Sequence, residues 1–204
     1  MRRAYLQIAW GLALELIDFR IGMIDILPDF VGYFLLALGL SRLNAHNRGF
    51  NIAWFAAGVQ FVFSIMQMFG APTGFSLTGV ESVSTVTLVL MTFSVAFEML
   101  LYYGLCRGIR ESAEERDKIP LADSARAVWS VAFCVGFLNL FLFPFQLNYT
   151  LQSLFEVVLL LAFASLAVGL WVLLLARRAG RELAEPGGGD NGEDAAGTQL
   201  DVRI

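Results

Sequence analysis

The residues of this chain whose types and spacing could do chemistry are acids placed where acids are scarce. Glu15, Asp18, Asp25, Asp29 and Glu98, with Arg20 as the one nearby base, all lie in or beside long apolar runs. A charged group at the centre of a membrane helix costs about 2.5–3.5 kcal/mol on the insertion scale. Such groups therefore face a protein interior or a watery cavity, and they mark sites for ions, protons or polar ligands. Glu15, Asp18, Arg20, Asp25 and Asp29 crowd around the stretch "DFRIGMIDILPDFVGY". Around a cavity they would bind a cation, a proton or a polar headgroup. Glu98 stands apart, about two turns from the inner end of its helix, and Glu156 lies about one turn into the last apolar run.

Other chemistries find no footing. His46 is the sole histidine, in the polar stretch "NAHNRG". The chain has no HExxH zinc site, no phosphate-cradling glycine loop and no GxGD pattern of the intramembrane aspartyl proteases. No catalytic residue, metal ligand or cofactor is expected. Cys106 and Cys134 lack CxxC spacing and read as buried free thiols. No basic stripe points to nucleic acid.

The elements that position the acids follow from composition. Hydrophobic residues make up 57% of the chain and charged residues 16%, with mean hydropathy +0.67. Soluble domains carry nearer a quarter charged residues. Long apolar runs alternate with short polar ones, the pattern of an integral membrane protein in a lipid bilayer. The expected fold is all-α: a polytopic transmembrane bundle of six helices, at about 4–19, 28–43, 51–69, 82–106, 125–145 and 151–176. The first two are short, about 24 Å each, and an apolar connection joins them. Residues 1–176 form the membrane domain. Residues 177–204 form a disordered, acidic cytoplasmic tail.

Orientation follows from the bases. With both ends inside, every Lys and Arg but Arg20 falls on the inner side, as the positive-inside rule asks. Tyr5, Trp54, Tyr102, Tyr103, Trp129 and Trp171 then gather at the inner interface, where amphipathic rings settle. The stretches "LLALGLSR" (35–42) and "LLYYGLCR" (100–107) are alike, and both read as the ends of inward-going helices.

Spacing aligns small and polar residues on single faces. Gln7, Gly11, Glu15 and Asp18 share one face of the first helix. Gly32 and Gly39 share a side of the second with Asp25 and Asp29. Ala53, Ala57, Gln60, Ser64 and Gln67 do so on the third, and Ser84, Thr87, Met91, Ser94 and Glu98 on the fourth. Ala132, Gly136 and Asn139 do so on the fifth. These are the residue types of helix contacts in lipid.

The connection at 19–28 has two readings. One is a capped turn dipping into the outer leaflet. Pro28 would sit in the first helical turn, Asp25 would cap it, Asp29 would meet the positive end of the dipole, and Arg20 would pair with Asp18 or Asp25. The other is a re-entrant element lining a watery cavity.

At residues 24–43, "IDILPDFVGYFLLALGLSRL", preceded by "LIDFRIG", the chain resembles a group of small bacterial integral membrane proteins common among Gram-positive bacteria. Their mark is an "(I/L)D-hydrophobic-LPDF(I/V)GY" signature followed by an apolar helix. The resemblance covers about 30 residues and implies a multi-pass protein of the bacterial cytoplasmic membrane. It carries no assigned activity. A segment "IDLIPDFIP" of another membrane family is similar as well, with Val31 and Gly32 standing here in place of its Ile-Pro.

The leading functional expectation is a non-catalytic membrane component, such as an assembly partner, sensor or envelope-stress protein. A protein partner would dock on the charged inner stretch 107–126, which itself reads as an extension of the fourth helix. The alternative is a small transporter or channel using the outer acidic cluster, with Glu98 as a relay. An intramembrane enzyme comes last.

Overall fold

The structure, a computed structural model, describes residues 2–16, 20–21, 24–25, 29–43, 45, 47–68, 85–147 and 151–183. Six α-helices dominate: α1 (Arg2–Leu16), α2 (Asp29–Ser41), α3 (Arg48–Met68), α4 (Thr85–Glu114), α5 (Ile119–Leu142) and α6 (Leu151–Glu182). A 3-10 turn, Phe143–Leu147, continues α5. Between α1 and α2 lies a short hairpin of β1 (Arg20–Ile21) and β2 (Ile24–Asp25).

The helices form a ring in chain order. Each packs on its sequence neighbour, α6 closes on α1, and α4 touches α6 across the middle. Neighbours run antiparallel. Gly11 meets Gly32 while Gly39 meets Ala4 and Ile8, so α1 and α2 pass in opposite directions. Gly49 meets Gly108 while Ala53 meets Gly104, and the same holds for α3 and α4. Tyr5 lies under Gly180 and Leu16 under Gly169 along the α1–α6 seam. Every described base except Arg20 therefore gathers at one end of the bundle, the charged end.

Four helices, α3 to α6, are long and apolar enough to cross a membrane. At 1.5 Å per residue α4 and α6 reach about 45 Å, beyond the roughly 30 Å hydrocarbon core. Their charged ends project past it. The outer surface is apolar: Trp10 is 63% exposed, Leu160 69% and Phe163 63%. Surfaces of that kind belong against lipid tails, and the chain is a membrane protein.

Glycine sets the closest crossings. A Cβ on Gly104 would lie 2.5 Å from the Ala53 backbone nitrogen, and one on Gly11 2.7 Å from the Gly32 carbonyl oxygen. Without side chains at these points the backbones touch and gain dispersion contacts, the main source of association in lipid. Polar pairs add to this. Gln60 donates to the Ser94 carbonyl at 3.1 Å, joining α3 to α4. Asn139 donates to Ser165 Oγ at 3.1 Å, joining α5 to α6.

The stretch 107–114 continues α4 as expected, laced by i,i+4 pairs Arg107–Glu111 (2.7 Å) and Arg110–Glu114 (2.9 Å). The helix stops in a Schellman turn. Lys118 N–H bonds the Ala113 carbonyl, Asp117 N–H bonds the Glu114 carbonyl, and Asp117 takes the left-handed φ of 56°. Pro120 then opens α5, where its missing N–H is harmless.

Several expectations change. "LLYYGLCR" does not end its helix, because α4 runs on to Glu114, whereas "LLALGLSR" does end α2 at Ser41. Asp25 lies in β2, with its backbone opposite Arg20, and so is not the residue that caps α2, which begins at Asp29. The connection itself is a hairpin. Cys106 is buried, but Cys134 is exposed on the apolar outside of α5. Tyr5 and Tyr102 are not interfacial rings. They are 2% and 5% exposed, packed in the core by the ring closure. The tail expected from residue 177 does not begin there, because α6 runs on to Glu182; the chain beyond Leu183, with Asp18 and Ser84, lies outside the described residues.

Candidate functional site

Two of the acids singled out from the sequence come together inside the ring. Glu15 comes from the last turn of α1 and Glu98 from the middle of α4. They differ in sequence position and in expected depth. The ring brings them to one interior, and two tyrosines link them. The Tyr33 hydroxyl, from α2, donates to Glu15 Oε1 at 3.2 Å. The Tyr102 hydroxyl, one turn beyond Glu98 on α4, lies beside the Glu98 carboxylate. Tyr102 also lies within electrostatic reach of Glu15 and Tyr33. The cluster is thus two carboxylates and two phenols, supplied by three helices.

Local sequence explains the placement. Gly32 lets α2 press on α1 beside Glu15, since a Cβ there would lie 3.1 Å from the Glu15 nitrogen. That contact sets the neighbouring Tyr33 against Glu15. On α4, Glu98 and Tyr102 are four residues apart and stack on one face. Ser94, a turn further, bonds Gln60, which fixes the rotation of α4 so that Glu98 faces inward.

A carboxylate inside a membrane bundle holds its charge only with donors or a cation nearby. Phenol donors stabilise the ionised carboxylate in a low-dielectric interior, and the bonds are stronger there than in water. Two carboxylates in one interior repel, so a proton or a cation taken up between them relieves the repulsion. That is the chemistry this arrangement supports. Among the described residues, no group of three or more His, Cys, Asp or Glu could hold a metal ion.

The remaining candidates are not in this cluster. Arg20 and Asp25 face each other across the hairpin backbone, beyond the far end of α1. Asp29 opens α2. Asp18 is outside the described residues. Glu156 is exposed on α6. Sequence reasoning missed Tyr33 and Tyr102 as site residues. The i,i+4 spacing of Glu98 and Tyr102 was a usable signal; the approach of Tyr33 to Glu15 was not, because it depends on the α1–α2 crossing.

Comparison with protein-family models, with curated proteins and with solved structures finds no match.

Proposed function

We propose that this is a multi-pass protein of the bacterial cytoplasmic membrane, with both ends of the chain and the charged end of the bundle inside, acting as a non-catalytic sensor or assembly component. Its working site is the carboxylate–tyrosine cluster of Glu15, Tyr33, Glu98 and Tyr102, which takes up a proton or a small cation. The observation that carries this reading is the meeting of Glu15 and Glu98 in one interior. Ionisable residues inside membrane bundles are costly and are retained for a use. Uptake would change how α1, α2 and α4 are tied together and so pass a signal to the charged end. The stretch 107–126 continues α4 and turns into α5, and is the surface on which a partner would read that signal.

The test is infrared difference spectroscopy on protein in lipid nanodiscs, comparing acid and alkaline buffer. A carboxyl band that Glu98→Gln removes and Glu15→Gln shifts is the expected result. Spectra identical to wild type in both variants would overturn the reading.

A small transporter remains the second reading, favoured by one observation. Glu15 lies in the last turn of α1, and Asp25 in the hairpin and Asp29 at the start of α2 follow, so acids continue along the chain from the cluster at the far end. Proton or cation flux in proteoliposomes that is lost in Glu98→Gln would select it.

A further inference from the structure

A second feature, separate from the cluster, lies at the charged end between α4 and α5. It is a cleft of about 220 Å³ lined by Tyr103, Arg107, Arg110, Glu111, Arg126 and Trp129. Its bases are unequal. Arg107 is held by Glu111 at 2.7 Å and by the Tyr103 hydroxyl at 3.1 Å. Arg110 is held by Glu114 at 2.9 Å. Arg126 has no ion pair among the described residues, so the cleft keeps a surplus positive charge. Arg107 and Arg110 retain guanidinium N–H groups beyond those used, and an arginine fork matches a phosphate.

The surroundings are those of a membrane interface. Tyr103 and Trp129 pack edge to face at 5.1 Å, in the position amphipathic rings take at headgroup level. From Trp129 a row of rings continues down α5 into the apolar zone. Trp129 and Phe133 are 5.7 Å apart, and Phe133 and Phe137 stack at 6.2 Å. Phe141 and Phe145 follow at 5.4 Å. Phe133, Phe137 and Phe141 are 47%, 55% and 56% exposed, on the outer face of the bundle. The cleft is smaller than the roughly 300–1,000 Å³ of small-molecule sites. It has room for a headgroup phosphate and not for a whole amphiphile.

We infer that this cleft and row form a binding site for an anionic phospholipid. The phosphate sits among Arg126, Arg110 and Arg107, and an acyl chain lies along Phe133, Phe137 and Phe141. Basic pockets between membrane helices on the cytoplasmic side hold anionic headgroups for the same reason. The orientation proposed above would put the site in the leaflet that faces the cytosol. The test below offers lipid in either orientation and does not involve Glu15 or Glu98, so its outcome and theirs are read separately.

The experiment uses full-length protein in neutral detergent with Trp129 as the single tryptophan, through Trp10→Phe, Trp54→Phe and Trp171→Phe. Phosphatidylglycerol brominated on its acyl chains is titrated in, and phosphatidylcholine with the same chains serves as the comparison. Phosphatidylglycerol should quench Trp129 at about tenfold or more lower concentration than phosphatidylcholine. The double variant Arg110→Ala/Arg126→Ala should raise its half-quenching concentration about thirtyfold, taking one surface contact of each arginine. Arg126→Gln alone, at an exposed position that does not threaten folding, should raise it about fivefold. Equal quenching by both lipids, or no change in the Arg126→Gln variant, would overturn the inference. Displacement of the lipid by millimolar inorganic phosphate would overturn it in favour of a free-anion site. Quenching that emerges only after residues 184–204 are deleted would overturn it in favour of the acidic tail as occupant.

Discussion

The two ends of the bundle are built differently. At the charged end, Tyr5, Leu43, Phe50, Ile109, Leu121 and Leu183 are all at most 2% exposed, and Tyr5 and Phe50 meet edge to face at 6.1 Å. Asn47 donates to the Gly108 carbonyl at 3.0 Å and to Ser112 at 3.1 Å, tying α3 to α4. Arg178 donates to Ser124 Oγ at 3.1 Å, and Arg116 to the Leu183 carbonyl, tying α6 to its neighbours. At the far end, the core among the described residues is a small cluster of Leu88, Met91 and Phe143, each 6–9% exposed. The lesson is that the charges ring the best-packed part of this protein. Glycine crossings draw the helices together there, and the bases lie around the rim of that contact and not within it.

The sharpest way to break this comparison is to empty each end. Phe50→Ala should cost about 3–5 kcal/mol, the range for deleting a buried aromatic ring. Phe143→Ala should cost less than half as much, because its cluster is thin and partly exposed. Thermal unfolding in one detergent checks both, and equal losses would remove the distinction between the ends. Next comes backbone approach. Gly104→Leu should destabilise by about 1–3 kcal/mol or more by forcing α3 and α4 apart. Gly58→Ala, where an added Cβ meets nothing within 4 Å, should be neutral or stabilise by up to about 1 kcal/mol through helix propensity. Chymotrypsin resistance of the two variants would show it.

Between the ends sits the cluster. Tyr102→Phe removes a buried hydroxyl beside Glu98 and should cost about 1–3 kcal/mol, whereas Tyr103→Phe, which removes a half-buried acceptor of Arg107 nearer the rim, should cost about 0.5–1.5 kcal/mol at most. Denaturation of the two side by side measures the difference. Gln60→Leu, which breaks the α3–α4 amide link, should cost about 0.6 kcal/mol, the average for interhelical hydrogen bonds in membranes. The smallest effect belongs to the rim. A double-mutant cycle on Arg178 and Glu182, 2.6 Å apart and about one-third exposed, should give a coupling of about 0.3–0.5 kcal/mol that fades with salt.

Much of this architecture was legible in the residues. Apolar run lengths gave six helices in their order. The alternation of basic stretches gave the end at which the bases gather, because helices of even number with short links must place alternate termini together. The faces that carry Gln60 and Ser64 on α3, Ser94 on α4 and Asn139 on α5 were readable from helical spacing, and they are the contacts that form. What could not be read was where tertiary closure overrides composition. Tyr5 and Tyr102 have the look of interfacial rings, yet ring closure buries them. Cys134 has the look of a core thiol, yet α5 turns that face outward. Gly49, Gly104 and Gly108 escaped notice because a glycine near a helix end is ordinary until the backbone it touches is known. In the site, Glu15 and Glu98 were each visible as costly residues. Their meeting was not, since it depends on the crossing of helices far apart in sequence.

Closure of the ring between α1 and α6 has a consequence for how the protein is made. Among the described helices the seam joins the one made earliest to the one made latest, Tyr5 under Gly180 and Leu16 under Gly169. At about 5–20 residues per second, the interval between their synthesis is roughly 10–30 s. Throughout that interval the nascent α1, with Gln7 and Glu15 on its inner face, lacks α6 and rests chiefly on α2. The glycine-to-glycine contact of α1 and α2 is then what keeps a short and partly polar helix seated in the bilayer until its last neighbour arrives. A chain released before α6 is complete would present that open seam to the lipid, and to the membrane proteases that recognise helices without partners.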